Sequence, residues 1–168
     1  SYADDVPAEI EAPTQTLPEM MAASVSAFAR RPALEFFGAV TTYRELGDQI
    51  TRAAEGLRRL GVRKGDRVAL VLPNCPQHVV AFYAALRLGA IVVEHNPLYT
   101  ARELRHQFED HGAKVAIVWD KTVDTIADFP SDLRVEHIVS VDLTEAMPAS
   151  QRMLLRPVSY THLRAHET

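Results

Sequence analysis

Short apolar runs alternate with helix-like segments along most of this chain, and this alternation limits the possible folds more than any other feature. The segment DRVALVLP (66–73) contains an unbroken apolar run, which predicts a strand buried on both faces of a sheet. AIVVEHN (90–96) predicts a second buried strand, and AKVAIVW (113–119) and VEHIVSV (135–141) predict two further strands. Because strands and helices alternate with short connections, the strands should run parallel. We therefore predict an α/β fold, a mostly parallel sheet with flanking helices.

The segments between these strands carry the start and stop signals of helices. In a capping box, a threonine and a glutamate three residues later each bond to the other residue's backbone N–H. Two pairs have this spacing, Thr42 with Glu45 and Thr100 with Glu103. A glycine in the left-handed conformation ends many helices, and Gly61 and Gly112 are placed to end these two. Two more helices are predicted at 77–89 and 121–129.

The part of the chain before residue 43 has a different pattern. Residues 1–17 contain acidic side chains and prolines but no basic residue, which predicts a flexible acidic arm. Residues 20–31 have apolar side chains at helical spacing, and two short apolar runs about Gly38 predict a β-hairpin within 33–43.

Composition excludes several classes of protein. The chain has 168 residues, enough for one domain with a real core, and its net charge of −4 argues against a nucleic-acid-binding groove. A single cysteine, Cys75, excludes an internal disulfide framework and a cysteine-rich zinc module. No apolar run is long enough to span a membrane, so we expect no transmembrane segment and a cytoplasmic location.

Candidate ligand-binding residues lie where the predicted strands end. In an open parallel sheet, ligands bind at the carboxyl ends of the strands. The polar residues best placed there are Asn74, His95, Asn96 and Asp120. Turn formation and helix capping are the competing roles, and they are favoured at each of these positions, because asparagine before proline favours a turn and aspartate after a strand often caps a helix.

Other reactive side chains have weaker claims to a functional role. Cys75 would need a base to act as a nucleophile, and His78 is the only local candidate, so a role as buried apolar filler is favoured. His106 and His111 lie on a helix rich in charge and are expected to face solvent. The chain contains no GxGxxG, GxxxxGK[ST], GxSxG, HExxH or CxxC motif, so no catalytic, cofactor-binding or metal-binding residue is assigned.

Several motifs resemble the N-terminal part of the adenylate-forming acyl-CoA synthetases over about residues 18–150. They are TYREL (42–46), GVRKGDRVA (61–69), LPNCP (72–76), ALRLGA (85–90) and HNPLYT with EL (95–104). The sequence NPLYT is most similar to the corresponding segment of bacterial long- and medium-chain fatty acid–CoA ligases. The resemblance implies the N-terminal subdomain of the synthetase fold, in incomplete form.

The resemblance also implies a reaction for the whole parent protein. A carboxylic acid such as a fatty acid would be activated with ATP to an acyl-adenylate, and coenzyme A would then displace AMP, with Mg²⁺ shielding the phosphate charges. In the family, the phosphate loop, the nucleotide-binding motifs and the catalytic lysine follow the region present here. The fragment is therefore expected to bind no cofactor and to be inactive without the C-terminal portion of its own chain.

The last eleven residues, VSYTHLRAHET (158–168), raise a separate question. His162 and His166 are four apart, the spacing of two zinc ligands on a helix, but two histidines alone make an incomplete zinc site. The segment looks like the translated end of a transposon-based sequencing adapter. We therefore predict a partial AMP-binding domain at 18–157 and a non-native tail at 158–168.

Two rival interpretations remain beside the truncated ligase. The chain could be a freestanding α/β module that binds a small molecule or a protein, or a fragment without a role of its own. A complete module should have a complete sheet, whereas a truncated domain should expose apolar surface where the remainder would pack.

Overall fold

The computed structural model describes residues 12–133 and 135–155. Through residue 141 its helices and strands follow one another in the predicted order, a further helix at 149–155 was not predicted, and short 3-10 turns lie at Asp120–Thr122 and Leu143–Ala146. The helices are α1 (Leu17–Phe28), α2 (Tyr43–Arg59), α3 (Pro76–Arg87), α4 (Ala101–His111), α5 (Val123–Ala127) and α6 (Ala149–Leu155). The strands are β1 (Pro32–Phe36), β2 (Ala39–Thr42), β3 (Arg67–Val71), β4 (Ile91–His95), β5 (Val115–Trp119) and β6 (His137–Val141).

Strands β3 to β6 form one parallel sheet in the order β4-β3-β5-β6, which confirms the predicted fold class. Both faces of the sheet are covered. Helices α2 and α3 pack on one face, over Val68, Leu70, Val115 and Ile117. Helices α4 and α5 pack on the other, where Leu104, Phe108 and Ile126 contact small and branched side chains of β3 and β5.

Burial along the sheet depends on strand position. In β3 and β5, every residue except Arg67 and Trp119 is buried, as expected of central strands. The prediction that β4 is buried is wrong: it is an edge strand of the described sheet, and Ile91 is half exposed. An apolar run predicts a strand, but only pairing on both sides with other strands buries it fully.

The helix signals are confirmed. In the box at Thr42, the backbone N–H of Thr42 donates to Glu45 at 2.8 Å, and Thr100 and Glu103 make the equivalent bond. Both Gly61 and Gly112 have positive φ angles. A third capping box, Thr16 with Glu19, starts α1 at Leu17, three residues before the predicted start.

The N-terminal hairpin is also confirmed, since β1 and β2 pair antiparallel about a turn at Phe37 and Gly38. Residues 12–16 precede α1 without forming a helix or strand. Leu17, assigned to the arm, is instead the first residue of α1. Residues 1–11 of the predicted acidic arm, and the predicted adapter tail, lie outside the described residues.

Two glycines inside α2 have different surroundings. A Cβ at Gly47 would lie 2.9 Å from Cγ1 of Val25 on α1, which is closer than carbon atoms approach. Gly47 therefore permits the close approach of α1 to α2. A Cβ at Gly56 would meet nothing within 4 Å.

This difference predicts opposite effects of the same substitution. Gly56→Ala should raise the free energy of unfolding by about 0.5–1 kcal/mol, because alanine favours helix without a new contact. Gly47→Ala should give no such gain and should lower stability, because Val25 is stiff at χ1 and α1 must shift. Urea denaturation of both variants tests this, and equal gains would contradict the packing described.

Candidate functional site

The carboxyl ends of the four parallel strands lie at one edge of the sheet, and the predicted polar residues lie in the loops there. Asn74 follows β3, and its side chain is exposed. Asp120 follows β5 and forms an ion pair with Lys121 at 3.1 Å. Asn96 follows β4, where its Oδ1 accepts a hydrogen bond from the Leu98 N–H at 2.9 Å. The structure thus gives Asn96 the turn role that the sequence favoured.

One contact at this edge was not predicted. The Gln77 side-chain amide, at the start of α3, donates to the backbone carbonyl of Asp142 after β6 at 3.1 Å. The bond joins residues 65 positions apart and ties α3 to the loop beyond β6. Asp142 also accepts from the Thr144 N–H at 2.8 Å. No local signal marks Gln77, because its partner is a backbone atom brought near only by the fold.

Cys75 has the environment of a structural thiol. It is buried at the start of α3, and this burial raises the pKa of the thiol, although the backbone N–H groups of His78 and Gln77 partly offset the effect. The ring of His78 instead contacts Glu94, with Nε2 and Oε1 2.8 Å apart. A buried thiol with a raised pKa is a poor nucleophile, so the favoured role as filler agrees with the structure.

His95 and His111 form a buried pair. Their Nε2 atoms are 3.0 Å apart, and both rings pack against Phe108, with centroids 5.0 and 4.7 Å from it. The prediction that His111 faces solvent is wrong, since only 9% of it is exposed, whereas His106 is exposed as predicted. The sequence does contain a signal for the burial of His111, because Leu104, Phe108 and His111 are spaced along one helical face.

Burial lowers the pKa of both histidines. It is the main cause of the lowered pKa of His111, about 4, and a charge on His95 would lower it further. Asp110 opposes this effect and Arg67 adds to it. Burial also lowers the pKa of His95, although nearby backbone carbonyls of Leu70 and Val93 act in the opposite direction. The pair is therefore neutral at pH 7.

A groove of about 530 Å³ opens between α2, α3 and the outer half of the sheet. Its walls are largely apolar, and the half-buried valines of the edge strand β6 form part of them. The apolar lining includes Ala53, Leu57, Val80, Ile117, Val139 and Val141. The apolar surface predicted for a truncated domain is therefore present beside β6.

Within residues 12–133 and 135–155, no three His, Cys, Asp or Glu side chains are grouped so that they could hold a metal ion. No helix in this part of the chain is long and apolar enough to cross a membrane. The part of the chain that the structure describes thus offers no group of three such donors for the Mg²⁺ that the resemblance implies.

The lowered pKa of His111 predicts acid sensitivity. Well above pH 6.5 neither state binds the proton, but as the pH falls through 6.5 toward 4 the unfolded chain takes it up and the folded chain does not. The free energy of unfolding should therefore fall by about 1–2 kcal/mol between pH 6.5 and 5, with a slope that approaches about 1.4 kcal/mol per pH unit near pH 5.

Urea titrations over this pH range measure the loss, before most carboxylates titrate. His106→Gln, an exposed histidine on the same helix, is the matched control and should keep the wild-type slope. A wild-type stability that stays constant from pH 6.5 to 5 would contradict the burial of a neutral pair.

A family model described as AMP-binding enzyme matches residues 21–160. The chain is 37% identical over 156 residues to a long-chain-fatty-acid–CoA ligase of Escherichia coli O157:H7, covering 92% of this chain and 28% of that protein. It is 38% identical over 131 residues to 4-coumarate–CoA ligase 3 of Oryza sativa subsp. japonica, covering 77% and 24%.

A solved structure shares the fold. The crystal structure of a long-chain-fatty-acid–CoA ligase from Archaeoglobus fulgidus matches with a TM-score of 0.71 and 27% identity, over 80% of this chain and 30% of that one. The chain thus spans about a quarter of the length of the curated relatives named above.

Proposed function

The chain belongs to the family of AMP-binding enzymes, and we propose that it is the N-terminal part of a fatty acid–CoA ligase. The similarity to a long-chain-fatty-acid–CoA ligase along nearly all of the chain carries this proposal. This partial AMP-binding domain resembles the first quarter of such an enzyme. The plant relative acts on a different acid, 4-coumarate, so an aromatic acid is the second candidate substrate.

The proposed reaction of the whole protein has two steps. A carboxylate oxygen attacks the α-phosphorus of ATP, forming the acyl-adenylate and releasing pyrophosphate. The thiol sulfur of coenzyme A then attacks the acyl carbonyl carbon, forming the thioester and releasing AMP. No residue of this chain is assigned to either step, because its described part offers neither a metal donor set nor a glycine-rich phosphate loop.

We propose that this part of the enzyme acts as a scaffold at the side of the active site. Among the four candidate residues at the carboxyl edge, Asn74 is the one free to meet a ligand, because its exposed side chain has no hydrogen bond within the described chain. Asn96, Asp120 and His95 are each held by another residue. The proposed substrates are small molecules, and the proposed location is the cytoplasm.

The proposal is tested by adding back the rest of the protein. The coding DNA downstream of residue 157 is taken from the source genome, and the longer protein is assayed for fatty-acid-dependent exchange of pyrophosphate into ATP. The longer protein should catalyse exchange, and the 168-residue chain should not. The melting temperature of the short chain should not change with Mg·ATP or a fatty acid, because the residues that would hold them are absent.

Two results would contradict the proposal. Saturable ATP binding by the 168-residue chain would show that the nucleotide site lies within it. A longer protein that exchanges pyrophosphate with 4-coumarate but with no fatty acid would favour the second candidate substrate.

Because of the apolar groove, we expect one substitution to have different effects in the 168-residue chain and in the longer protein. Val139→Lys places a charge in the groove, where Val139 is only half buried. In the 168-residue chain it should reduce concentration-dependent association at little cost in stability, because it interrupts exposed apolar surface. In the longer protein it should lower the melting temperature by several degrees, because the lysine would then be covered.

Sedimentation and thermal melting of both lengths test this prediction. Val40→Lys, at an exposed site on β2 outside the groove, is the matched control and should leave the longer protein's melting temperature nearly unchanged. A Val139→Lys substitution with no effect in the longer protein would show that the groove stays open, as a freestanding module requires.

A further inference from the structure

The buried histidine pair lies on either side of the β4–α4 loop, residues 96–100. His95 is the last residue of β4, and His111 is the last residue of α4. Their contact therefore ties the strand that enters the loop to the far end of the helix that leaves it. The loop follows β4 at the carboxyl edge of the sheet, the same edge at which Asn74 follows β3.

The position of the ring hydrogens follows from a backbone contact. The Nδ1 atom of His111 accepts a hydrogen bond from the Ala113 N–H at 2.9 Å, so the neutral ring carries its hydrogen on Nε2. This Nε2–H donates to Nε2 of His95, whose own hydrogen is then on Nδ1. That Nδ1 is buried and makes no hydrogen bond of good geometry within the described chain, although the backbone carbonyls of Leu70 and Val93 lie near the ring.

Adding a proton to the pair removes one of these hydrogen bonds. A proton on Nε2 of His95 would make two N–H groups face each other at 3.0 Å. A proton on Nδ1 of His111 would face the Ala113 N–H. The nearby charges act in opposite directions, since Asp110 on α4 favours the proton and Arg67 on β3 opposes it. The backbone carbonyls of Leu70 and Val93 also favour a proton on His95, but burial outweighs them, and the surrounding Phe108 ring offers no acceptor.

We propose that the His95–His111 pair is an acid-sensitive latch. It keeps the β4–α4 loop in the conformation described while both rings are neutral, and it releases the loop when either ring is protonated. The charged ring gains hydration only by leaving its buried position. Because β4 is an edge strand of the described sheet, its last residue can move outward while β3 and β5 stay paired. The proposal does not depend on the activity of the longer protein.

Amide hydrogen exchange of the 168-residue chain, followed by NMR, tests the latch. The Leu98 and Tyr99 N–H groups are hydrogen-bonded within the loop to Asn96, and they report its opening. Corrected for intrinsic exchange, their protection should fall below pH 6.5 with a slope that approaches tenfold per pH unit, because opening takes up one proton. Low urea should not change their exchange, although it speeds exchange of β3 and β5 amides, because local opening exposes little surface.

Loop amides that share the urea dependence of the β3 and β5 amides would overturn the proposal, because the loop would then open only with global unfolding. Protection that is independent of pH after the intrinsic correction would overturn it as well.

Variants separate the latch from a merely structural role. His111→Asn keeps an acceptor near the Ala113 N–H but cannot reach His95, so loop protection should be low and independent of pH. His95→Gln offers the His111 N–H an amide oxygen that does not titrate, so the fall in protection between pH 6.5 and 5 should be smaller than the wild-type fall of about 15-fold.

His106→Gln is the matched control on the same helix and should behave as wild type. If His111→Asn does not fold, the fall in loop protection between pH 6.5 and 5 is compared for His95→Gln and His106→Gln, and this comparison still tests the latch. A fall in protection for His95→Gln that equals or exceeds the wild-type value would overturn the proposal.

Discussion

The burial of β3 and β5 on both faces is the constraint on which the rest of this structure depends. Val68 and Ala69, neighbours on β3, point to opposite faces and are both fully buried. Two strands of this kind need a helical layer on each side, and α2 with α3 supplies one while α4 with α5 supplies the other. Capping boxes start α2 and α4, one helix of each layer.

The edges of the sheet explain both the polar and the apolar features of the surface. At β4, strand pairing ends, and the burial of His95 depends on α4 rather than on another strand. At β6, half-buried valines leave the apolar groove uncovered within the described chain. A sheet with an uncovered apolar flank agrees better with part of a larger AMP-binding enzyme than with a freestanding module.

The two histidines show how position within the fold changes the chemistry of a residue. On an exposed helical face, as at His106, imidazole is solvated. At His111 the same ring packs against Phe108 and His95, and burial lowers its pKa to about 4. The cost of placing a charge in that position links the protonation of the pair to the position of the β4–α4 loop.

The sequence by itself determined the order of the helices and strands, their capping signals and the parallel sheet, because these follow from local periodicity and from side chains three or four positions apart. It also carried the family resemblance, through motifs that are contiguous in the chain. Only the tertiary structure decided that β4 lies at an edge, that Gln77 reaches Asp142, and that His95 meets His111. Each of these depends on which distant segments become neighbours, and the hydrophobic pattern of a single segment does not contain that information.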